Sequence, residues 1–285
     1  MQSTIFNVQV VKTENCRSQL NYLTLNNLFM YALITGASKG IGKEIAIELA
    51  SKKYDLILIA RSSSQLEEVA KEIKGNFGVK VDFLATDLST PDAARGVFKW
   101  VEQNNYQVAV LVNNAGYGSA GNFEKFTIEQ NRDMMNLNMI TLTEMCQVFL
   151  PMLKRHSQAY ILNIASSTAY QALPQMAIYA ATKVFVLNFS RALKFELKDS
   201  PVSVTCVSPG ATDTNFNDRA DIPAKARKAA EKVVMTPQDV AKISVDSMFA
   251  GKAEVIPGFI NKLAAFLAWV APKAITEKVA AGIYE

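Results

Sequence analysis

A tyrosine and a lysine four positions apart are the residues of this sequence with the clearest chemical use. Tyr179 and Lys183 belong to the segment Tyr-Ala-Ala-Thr-Lys, and because residues four apart on a helix share a face, both can point into one site. An ammonium group beside a phenol favours the phenolate, which makes the phenol a useful acid or base. Ser166 lies thirteen positions before the tyrosine, at the end of a predicted strand. A helix with an exposed tyrosine and lysine is the alternative interpretation.

A glycine-rich turn between a predicted strand and a predicted helix indicates a nucleotide site. The turn has the spacing G-x-x-x-G-x-G and contains Gly36, Ser38, Lys39, Gly40, Ile41 and Gly42. Glycines let the backbone approach a pyrophosphate closely, and the N–H groups that begin the following helix attract its charge. A turn without a ligand is the alternative, which the flanking strand and helix disfavour.

The end of the second predicted strand distinguishes between the two nicotinamide cofactors. An acidic side chain there would bind a free ribose 2′-hydroxyl, whereas a 2′-phosphate requires a cation. The strand ends in Ala60-Arg61-Ser62 without an acid, and Lys39 in the glycine turn adds a second positive charge. We therefore predict NADP(H) as the cofactor, because two cations suit a phosphate.

Further candidate cofactor residues follow the third and fourth predicted strands. Asp87 and Leu88 come after the third, and Asn114, Ala115 and Gly116 come after the fourth. Ligands of open α/β sheets bind at the carboxyl ends of the strands. Position therefore makes these residues candidates, although Asn-Asn-Ala-Gly in isolation is typical of a loop.

Alternating strands and helices must position these side chains. β-rich runs lie at residues 31–35, 54–60, 79–85, 108–112, 159–165, 202–207 and, more weakly, 253–256, and long helices are predicted at 128–153 and 175–198. The alternation predicts a parallel sheet, and the nearly continuous apolar runs predict helices on both faces. The expected fold class is α/β, a Rossmann-type doubly wound parallel sheet of about seven strands in three α/β/α layers.

Composition argues against several other classes of protein. With 49% hydrophobic and 20% charged residues among 285, the chain has the balance of a soluble protein with a large core. Its net charge of +4 is scattered, which gives no support for nucleic-acid binding. Three distant cysteines and one histidine, His156, predict no metal site and no disulfide framework. We expect a cytoplasmic protein and place His156 at the surface, at a helix end.

Together, the motifs resemble one known family. The glycine turn, Asn-Asn-Ala-Gly, the Ser-to-Tyr interval and Y-x-x-x-K occur jointly in the short-chain dehydrogenase/reductase family, and the resemblance covers residues 31–256. It implies an oxidoreductase that transfers hydride between nicotinamide and a carbonyl or alcohol carbon. It also implies a homodimer or homotetramer assembled through the two long helices.

The resemblance assigns a role to each member of a catalytic set. Tyr179 would protonate the substrate oxygen during reduction, and Ser166 would hold and polarise the carbonyl. Lys183 would bind the ribose hydroxyls of the cofactor besides acting on the tyrosine. Ser167 is a rival for the place of Ser166, although the thirteen-residue interval favours Ser166.

Two further segments match the family pattern. Asn138 corresponds to the asparagine that kinks a helix and anchors a proton-relay water, with neighbouring Asn136 as a rival. The turn at 209–214 resembles the one beside the nicotinamide. Its candidate cofactor residues are Pro209, Gly210, Thr212 and Thr214.

The chain divides into a catalytic domain and two tails in this interpretation. Residues 30–257 would form the NADP(H)-binding domain, with a mobile helical substrate lid at about 213–235. Residues 1–29 would be a poorly ordered extension, either upstream reading frame before a start at Met30 or a genuine N-terminal arm. Residues 258–285 would form a helical tail.

The predicted tail at 258–285 gives an indication of the substrate class. It resembles that of a bacterial-type branch of the family related to fatty-acyl and steroid ketone reductases. Its apolar run at 263–270 is too short to span a bilayer, which takes about 20 apolar residues. It could lie on a membrane or cover an apolar substrate, but packing on the parent fold or on a second subunit is favoured.

Two classes of function remain open. We favour an NADP(H)-dependent reductase of a hydrophobic ketone or 3-oxoacyl-type substrate. The alternative is a cofactor-binding regulatory protein of the same fold without turnover, but a complete catalytic set argues against it because a sensor needs no proton relay. An epimerase of the extended branch fits less well, since its glycine turn is spaced differently.

Overall fold

Seven parallel strands form the centre of the fold. This computed structural model describes residues 30–212, 220–230 and 234–284, so the predicted extension at 1–29 and Thr214 lie outside the described residues. The strands are β1 (Tyr31–Thr35), β2 (Asp55–Ala60), β3 (Val81–Ala85), β4 (Val108–Asn113), β5 (Ala159–Ile164), β6 (Val202–Val207) and β7 (Glu254–Val255). They pair in parallel in the spatial order 3-2-1-4-5-6-7. The predicted doubly wound sheet is confirmed.

Helices connect and cover the strands. They are α1 (Gly40–Ser51), α2 (Ser63–Phe77), α3 (Ala93–Gln103), α4 (Ile128–Met135), α5 (Leu142–Leu153), α6 (Ala177–Glu196), α7 (Ala224–Ala230), α8 (Pro237–Phe249), α9 (Phe259–Val270) and α10 (Lys273–Tyr284). Short 3₁₀ turns lie at Phe123–Lys125 and Ser167–Tyr170. Within the described ranges, no helix has both the length and the apolar character to cross a membrane.

The core has two halves, one on each face of the sheet. On one face, apolar side chains of α1, α2 and α8 pack on the strands, as Ile45, Leu66 and Val245 illustrate. On the other face, α3, α5 and α6 supply a second cluster that includes Phe149. Every residue of β1 is buried, because helices cover both faces and leave no strand position for water.

The sheet reverses its strand order between β1 and β4, which are neighbours in space. Connections leave these two strands toward opposite faces, and this opens a crevice at their carboxyl ends. Thr35 closes the bottom of the crevice, since its Oγ1 donates to the carbonyl of Val112 on β4 at 3.1 Å. The reversal fixes where a ligand can enter.

The predicted helix at 128–153 is one segment with a break in its hydrogen bonding. Thr127 and Gln130 form a capping box at the start of α4. A π-helical turn at Asn136–Thr141 then separates α4 from α5. Such turns push one residue out of the regular ladder and are frequent at functional sites. Here the displaced stretch contains Asn138.

Most element boundaries agree with the sequence prediction to within two residues. One prediction about the environment of a side chain was wrong. His156 follows the end of α5, as expected, but it is half-buried rather than at the surface. Burial lowers the pKa of its imidazole. The imidazole makes a hydrogen bond with the backbone of Val108 at the start of β4, a long-range contact that the sequence did not reveal.

We expect Phe149→Ala to lower the free energy of unfolding by about 3–5 kcal/mol. Phe149 is fully buried and its ring meets that of Phe98 edge to face, with centroids 5.1 Å apart. The matched control is Phe195→Ala on α6, where the side chain is 72% exposed and the change should stay within about 0.5 kcal/mol. Urea unfolding of both variants checks this; equal losses would contradict the assigned core.

Candidate functional site

A cavity of about 640 Å³ lies at the carboxyl edge of the sheet. Its size suits a small-molecule ligand. Of the residues predicted for the site, its lining includes Gly36, Ser38, Lys39, Gly40, Ile41, Arg61, Asp87, Leu88, Asn114, Ala115, Gly116, Ser166, Tyr179, Lys183, Pro209, Gly210 and Thr212. Gly42 and Asn138 are buried and do not belong to this lining, and Thr214 is outside the described residues. The predicted residues thus converge on one place.

The glycine turn forms the floor of one end of the cavity. Gly36 has φ +68°, a backbone conformation that glycine adopts without strain. A Cβ atom at Gly42 would overlap the carbonyl oxygen of Gly36, so the turn closes only with glycine there. Helix α1 begins directly afterwards, and its N-cap residue Lys39 makes no side-chain capping bond. The first N–H groups of α1 are therefore suited to an anion.

Asn114 acts on this turn rather than only on the cavity. Its Nδ2 donates to the carbonyl oxygens of Thr35 at 3.0 Å and Gly36 at 3.2 Å. The Thr35 hydroxyl in turn accepts the backbone N–H groups of Asn114 at 2.9 Å and Ala115 at 3.0 Å. The ends of β1 and β4 are thereby fixed to each other. Thr35 was not among the predicted site residues, because a threonine inside a strand has no distinctive signal.

Tyr179 and Lys183 lie together on the first turns of α6, and both are buried. The Lys183 Nζ lies 5.7 Å from the centre of the Tyr179 ring and donates to the carbonyl of Ile164 at 3.0 Å. Burial lowers the pKa of the Lys183 ammonium from 10.5 to about 8. The alternative of an exposed tyrosine and lysine on a helix surface is wrong, because both side chains are buried.

Asn138 joins the π-helical turn to α6. Its Oδ1 accepts the N–H of Tyr117 at 3.1 Å, and its Nδ2 donates to the Tyr117 carbonyl at 2.9 Å and to the Thr182 hydroxyl at 3.0 Å. Thr182 donates in turn to the carbonyl of Tyr179 at 2.7 Å. Asn138, rather than its rival Asn136, makes these bonds. Thr182 is a positioning residue that the sequence analysis did not single out.

Ser166 and Ser167 both reach the cavity wall. Ser166 follows β5, is 9% exposed, and accepts the backbone N–H of Thr168 at 3.2 Å. The backbone N–H of Ser167 donates to the Pro209 carbonyl at 2.7 Å, which ties the end of β5 to the end of β6. The thirteen-residue interval to Tyr179 keeps Ser166 as the candidate that faces a substrate.

Two cations flank the cavity at the end that the glycine turn forms. Lys39 and Arg61 are both exposed and both contribute to its lining, next to Ser62 and Gln65. Ser62 caps helix α2 by accepting the N–H of Gln65 at 3.4 Å. Phosphate groups favour such a combination of basic side chains and a helix start. Ser62 and Gln65 were not among the predicted site residues.

Beyond Tyr179 the cavity wall is largely apolar. The lining residues that were not predicted include Leu173, Met176, Ile222, Ala226, Arg227, Asn261, Ala280 and Ile283. Several of them belong to the tail and to the predicted lid, so distant parts of the chain enclose this end. Arg227 is the charged member of this group, and its Nε donates to the Ile222 carbonyl at 2.8 Å. No local sequence motif predicts that these residues line the cavity.

A family model described as short chain dehydrogenase matches residues 30–225. The chain belongs to the short-chain dehydrogenase family. It is therefore an oxidoreductase of a family that acts on alcohol and keto groups.

Relatives of this short-chain dehydrogenase include enzymes named for lipid and steroid substrates. Very-long-chain 3-oxoacyl-CoA reductase-B of Danio rerio is 29% identical over 219 residues, which are 73% of this chain and 68% of the relative. The 17-beta-hydroxysteroid dehydrogenase type 3 of Mus musculus is 27% identical over 241 residues, 84% and 78% of the two chains. A short-chain dehydrogenase from Sphingobium yanoikuyae, solved in complex with NADPH, is 29% identical with a TM-score of 0.74, covering 87% of this chain and 98% of that one.

The buried charge of Lys183 should reduce the stability of the short-chain dehydrogenase. Because the pKa of Lys183 is about 8 when folded and 10.5 otherwise, the unfolded chain binds more protons between these values, so stability rises with pH across that window. Lys183→Met should raise the free energy of unfolding at pH 7 by about 2 kcal/mol, the desolvation cost less one hydrogen bond.

Urea unfolding at pH 7 and above pH 9 measures this effect. The advantage of Lys183→Met over the natural chain should shrink at the higher pH, as the natural lysine loses its charge. The control Lys99→Met removes an exposed lysine on α3 and should change stability by less than about 0.5 kcal/mol at either pH. A Lys183→Met variant that is less stable than the natural chain at pH 7 would contradict the assignment.

Proposed function

We propose that the chain is an NADP(H)-dependent reductase of apolar ketones, with Tyr179 as the proton donor. The observation that carries the proposal is the pairing of Tyr179 with the buried Lys183 on the wall of a cavity whose opposite end is the glycine turn. A phenol beside a charged, desolvated ammonium is suited to moving a proton near neutral pH.

The chain's own residues fit a nicotinamide dinucleotide. The N–H groups at the start of α1 would hold the pyrophosphate, since Lys39 leaves them without a side-chain cap. Lys183 would reach the nicotinamide ribose, and the Pro209–Thr212 stretch would face the nicotinamide. Gly116 supports close approach, because a Cβ there would lie 3.0 Å from the Asn138 Oδ1 and 3.5 Å from the Lys183 Nζ.

Lys39 and Arg61 support NADP(H) over NAD(H). Both side chains border the cavity, Lys39 from the glycine turn and Arg61 directly after β2, which ends in Ala60 and not in an acid. A ribose 2′-phosphate would gain charge-assisted hydrogen bonds from the guanidinium, whose planar fork suits phosphate oxygens. The NADPH complex of the Sphingobium enzyme adds support from a relative.

The proposed chemistry is a carbonyl reduction and its reverse. The bound nicotinamide supplies or accepts the hydride. Ser166 donates a hydrogen bond to the substrate oxygen, and Tyr179 delivers a proton to the same oxygen during reduction. Lys183 stabilises the phenolate that remains. Asn138 holds the π-helical turn and, through Thr182, the backbone of Tyr179 in place.

An apolar substrate is supported by the cavity wall beyond Tyr179. That residue belongs to an apolar cluster with Leu173, Met176 and Ala280, with partly buried Ile222 packed on it. A desolvated wall of this kind binds hydrocarbon surface and excludes water from the reacting carbonyl. The named activities of the Danio and Mus relatives, on 3-oxoacyl-CoA and 17-beta-hydroxysteroids, agree with such a substrate.

The domain organisation is part of the proposal. Residues 30–257 carry the dinucleotide site, and α7 lies within the proposed lid. In the predicted tail at 258–285, the described residues 258–284 form a wall of the substrate end, since Asn261 and Ala280 line the cavity. A homo-oligomer assembled through α5 and α6 would cover Phe185, which is 39% exposed and stacked on Phe189.

Replacement of Tyr179 by phenylalanine should lower turnover by more than about 100-fold, because the proton donor is lost. An NADPH-oxidation screen over ketones, aldehydes and acyl thioesters first identifies a substrate. NADPH binding, measured by fluorescence titration, should change by less than about threefold. Tyr106→Phe is the control. Tyr106 precedes β4, its phenol donates to Asp82 on β3, and it does not line the cavity. Substantial residual turnover in Tyr179→Phe would overturn the assigned role.

Removal of the Arg61 guanidinium should raise the Kd for NADPH about tenfold or more while changing the Kd for NADH less than about twofold. The 2′-phosphate is the group that differs between these ligands. Calorimetric titration of Arg61→Ala with both cofactors measures the effect. Arg95→Ala, an exposed arginine on α3, is the control and should bind both as the natural chain does. Equal losses for NADPH and NADH would refute the cofactor preference.

A further inference from the structure

Helices α9 and α10 expose an apolar surface that the remainder of the described chain leaves uncovered. We name it the tail surface, and its residues are Phe259, Ile260, Leu263, Phe266, Leu267, Trp269, Val270, Ile275 and Val279. Their exposed fractions run from 45% for Leu263 to 79% for Phe259. Soluble monomers rarely expose so many large apolar side chains side by side, and such a patch marks a contact with a partner or a membrane.

The orientation of α9 makes the exposure systematic. Its buried residues are Asn261, Ala265 and Ala268, which form one narrow stripe. At 100° per residue, Leu263 and Val270 lie on the side directly opposite this stripe. That side would carry polar residues in a helix that faces water. The helix is therefore apolar on the side that points away from the protein.

The charges around the tail surface are mainly basic. The described tail carries Lys262, Lys273 and Lys278 against one acidic residue, Glu277. Lys273 also donates to the Ala268 carbonyl at 2.7 Å, which closes the C-terminal end of α9. A symmetric contact with a second copy would bring the same basic groups near one another, whereas anionic lipid headgroups would complement them. Aromatic residues beside lysines are typical of helices that lie in a membrane interface.

The tail surface is continuous with the cavity. Helix α10 contributes Ala280 and Ile283 to the cavity lining, while its Val279 is 61% exposed on the tail surface. Helix α9 contributes Asn261 to the same lining. Two short helices thus separate the substrate end of the cavity from the exposed apolar surface. A compound dissolved in a bilayer would have a short path to the site.

We propose that the tail surface docks peripherally on membranes that contain anionic lipids, and that the cavity receives its apolar substrate from that membrane. The docking stands on the exposed residues and charges alone. The delivery of a substrate rests on the proposed function.

Vesicle co-sedimentation of the full chain tests the docking. Vesicles of phosphatidylcholine are compared with vesicles that also contain phosphatidylglycerol, and the natural chain should bind the anionic vesicles more tightly. The double variant Leu263→Asp with Phe266→Asp should bind more than about tenfold more weakly to both, because two apolar contacts are lost. The matched control is Ile128→Asp, which changes a 70% exposed residue at the start of α4 and should bind as the natural chain does.

A second pair of variants tests the electrostatic part. Lys262→Gln and Lys278→Gln should each weaken binding to anionic vesicles about fivefold. Neither should change binding to vesicles of pure phosphatidylcholine. Vesicle binding by the Leu263→Asp, Phe266→Asp variant that equals that of the natural chain would overturn the proposal. A second result would also overturn it: the natural chain binds no vesicles and is a dimer by light scattering, while the Leu263→Asp, Phe266→Asp variant is a monomer. A second copy of the chain would then cover the tail surface.

Turnover of a water-soluble ketone separates docking from catalysis. The Leu263→Asp, Phe266→Asp variant should retain this turnover, since neither side chain lines the cavity. With a substrate dissolved in anionic vesicles, its rate should fall in parallel with vesicle binding. If the natural chain binds vesicles but reduces no ketone, the docking stands and the proposed function is rejected. If the natural chain and the variant reduce the vesicle-dissolved substrate at equal rates, delivery from the membrane is rejected.

Discussion

The enclosed charge of Lys183 is the constraint on which the rest of the site depends. An ammonium group removed from water is unfavourable unless hydrogen bonds replace its hydration. The carbonyl of Ile164 at the end of β5 supplies one such bond at 3.0 Å, and the centre of the Tyr179 ring lies 5.7 Å from the Lys183 Nζ. A fold selected for stability alone would place an apolar residue here. A buried cation next to a phenol is the arrangement that the proposed proton transfer requires.

The elements around Lys183 are held in register by a short chain of polar contacts. Asn138 binds both backbone groups of Tyr117 beyond β4 and the hydroxyl of Thr182 on α6. The π-helical turn is the local irregularity that brings this amide inward. Gly116 completes the arrangement, because a side chain there would crowd Asn138 and Lys183. One amide thus couples the end of a central strand, an interrupted helix and the helix that carries Tyr179.

Local patterns were sufficient to predict the sheet and the cavity residues that follow its strands. Buried parallel strands are nearly continuous apolar runs, as in β1, and the glycine turn and Tyr-Ala-Ala-Thr-Lys each lie within one segment. The substrate end was not predictable in this way. Ala280 and Ile283 line the cavity only because the tail folds back over it, and long-range packing leaves no local sequence signal. The half-burial of His156 is also a long-range effect, since its imidazole contacts the backbone of Val108 on β4.

The central claim is that the cavity transfers hydride from NADPH to a carbonyl carbon. It is tested most directly with NADPH that carries deuterium at both C4 positions of the nicotinamide and a panel of apolar ketones, by mass spectrometry of the products. The account predicts an alcohol with one deuterium on its carbinol carbon, formed by the natural chain. A chain that binds NADPH through Arg61 but transfers deuterium to no carbonyl compound would contradict it, and would instead indicate a cofactor-binding regulatory protein.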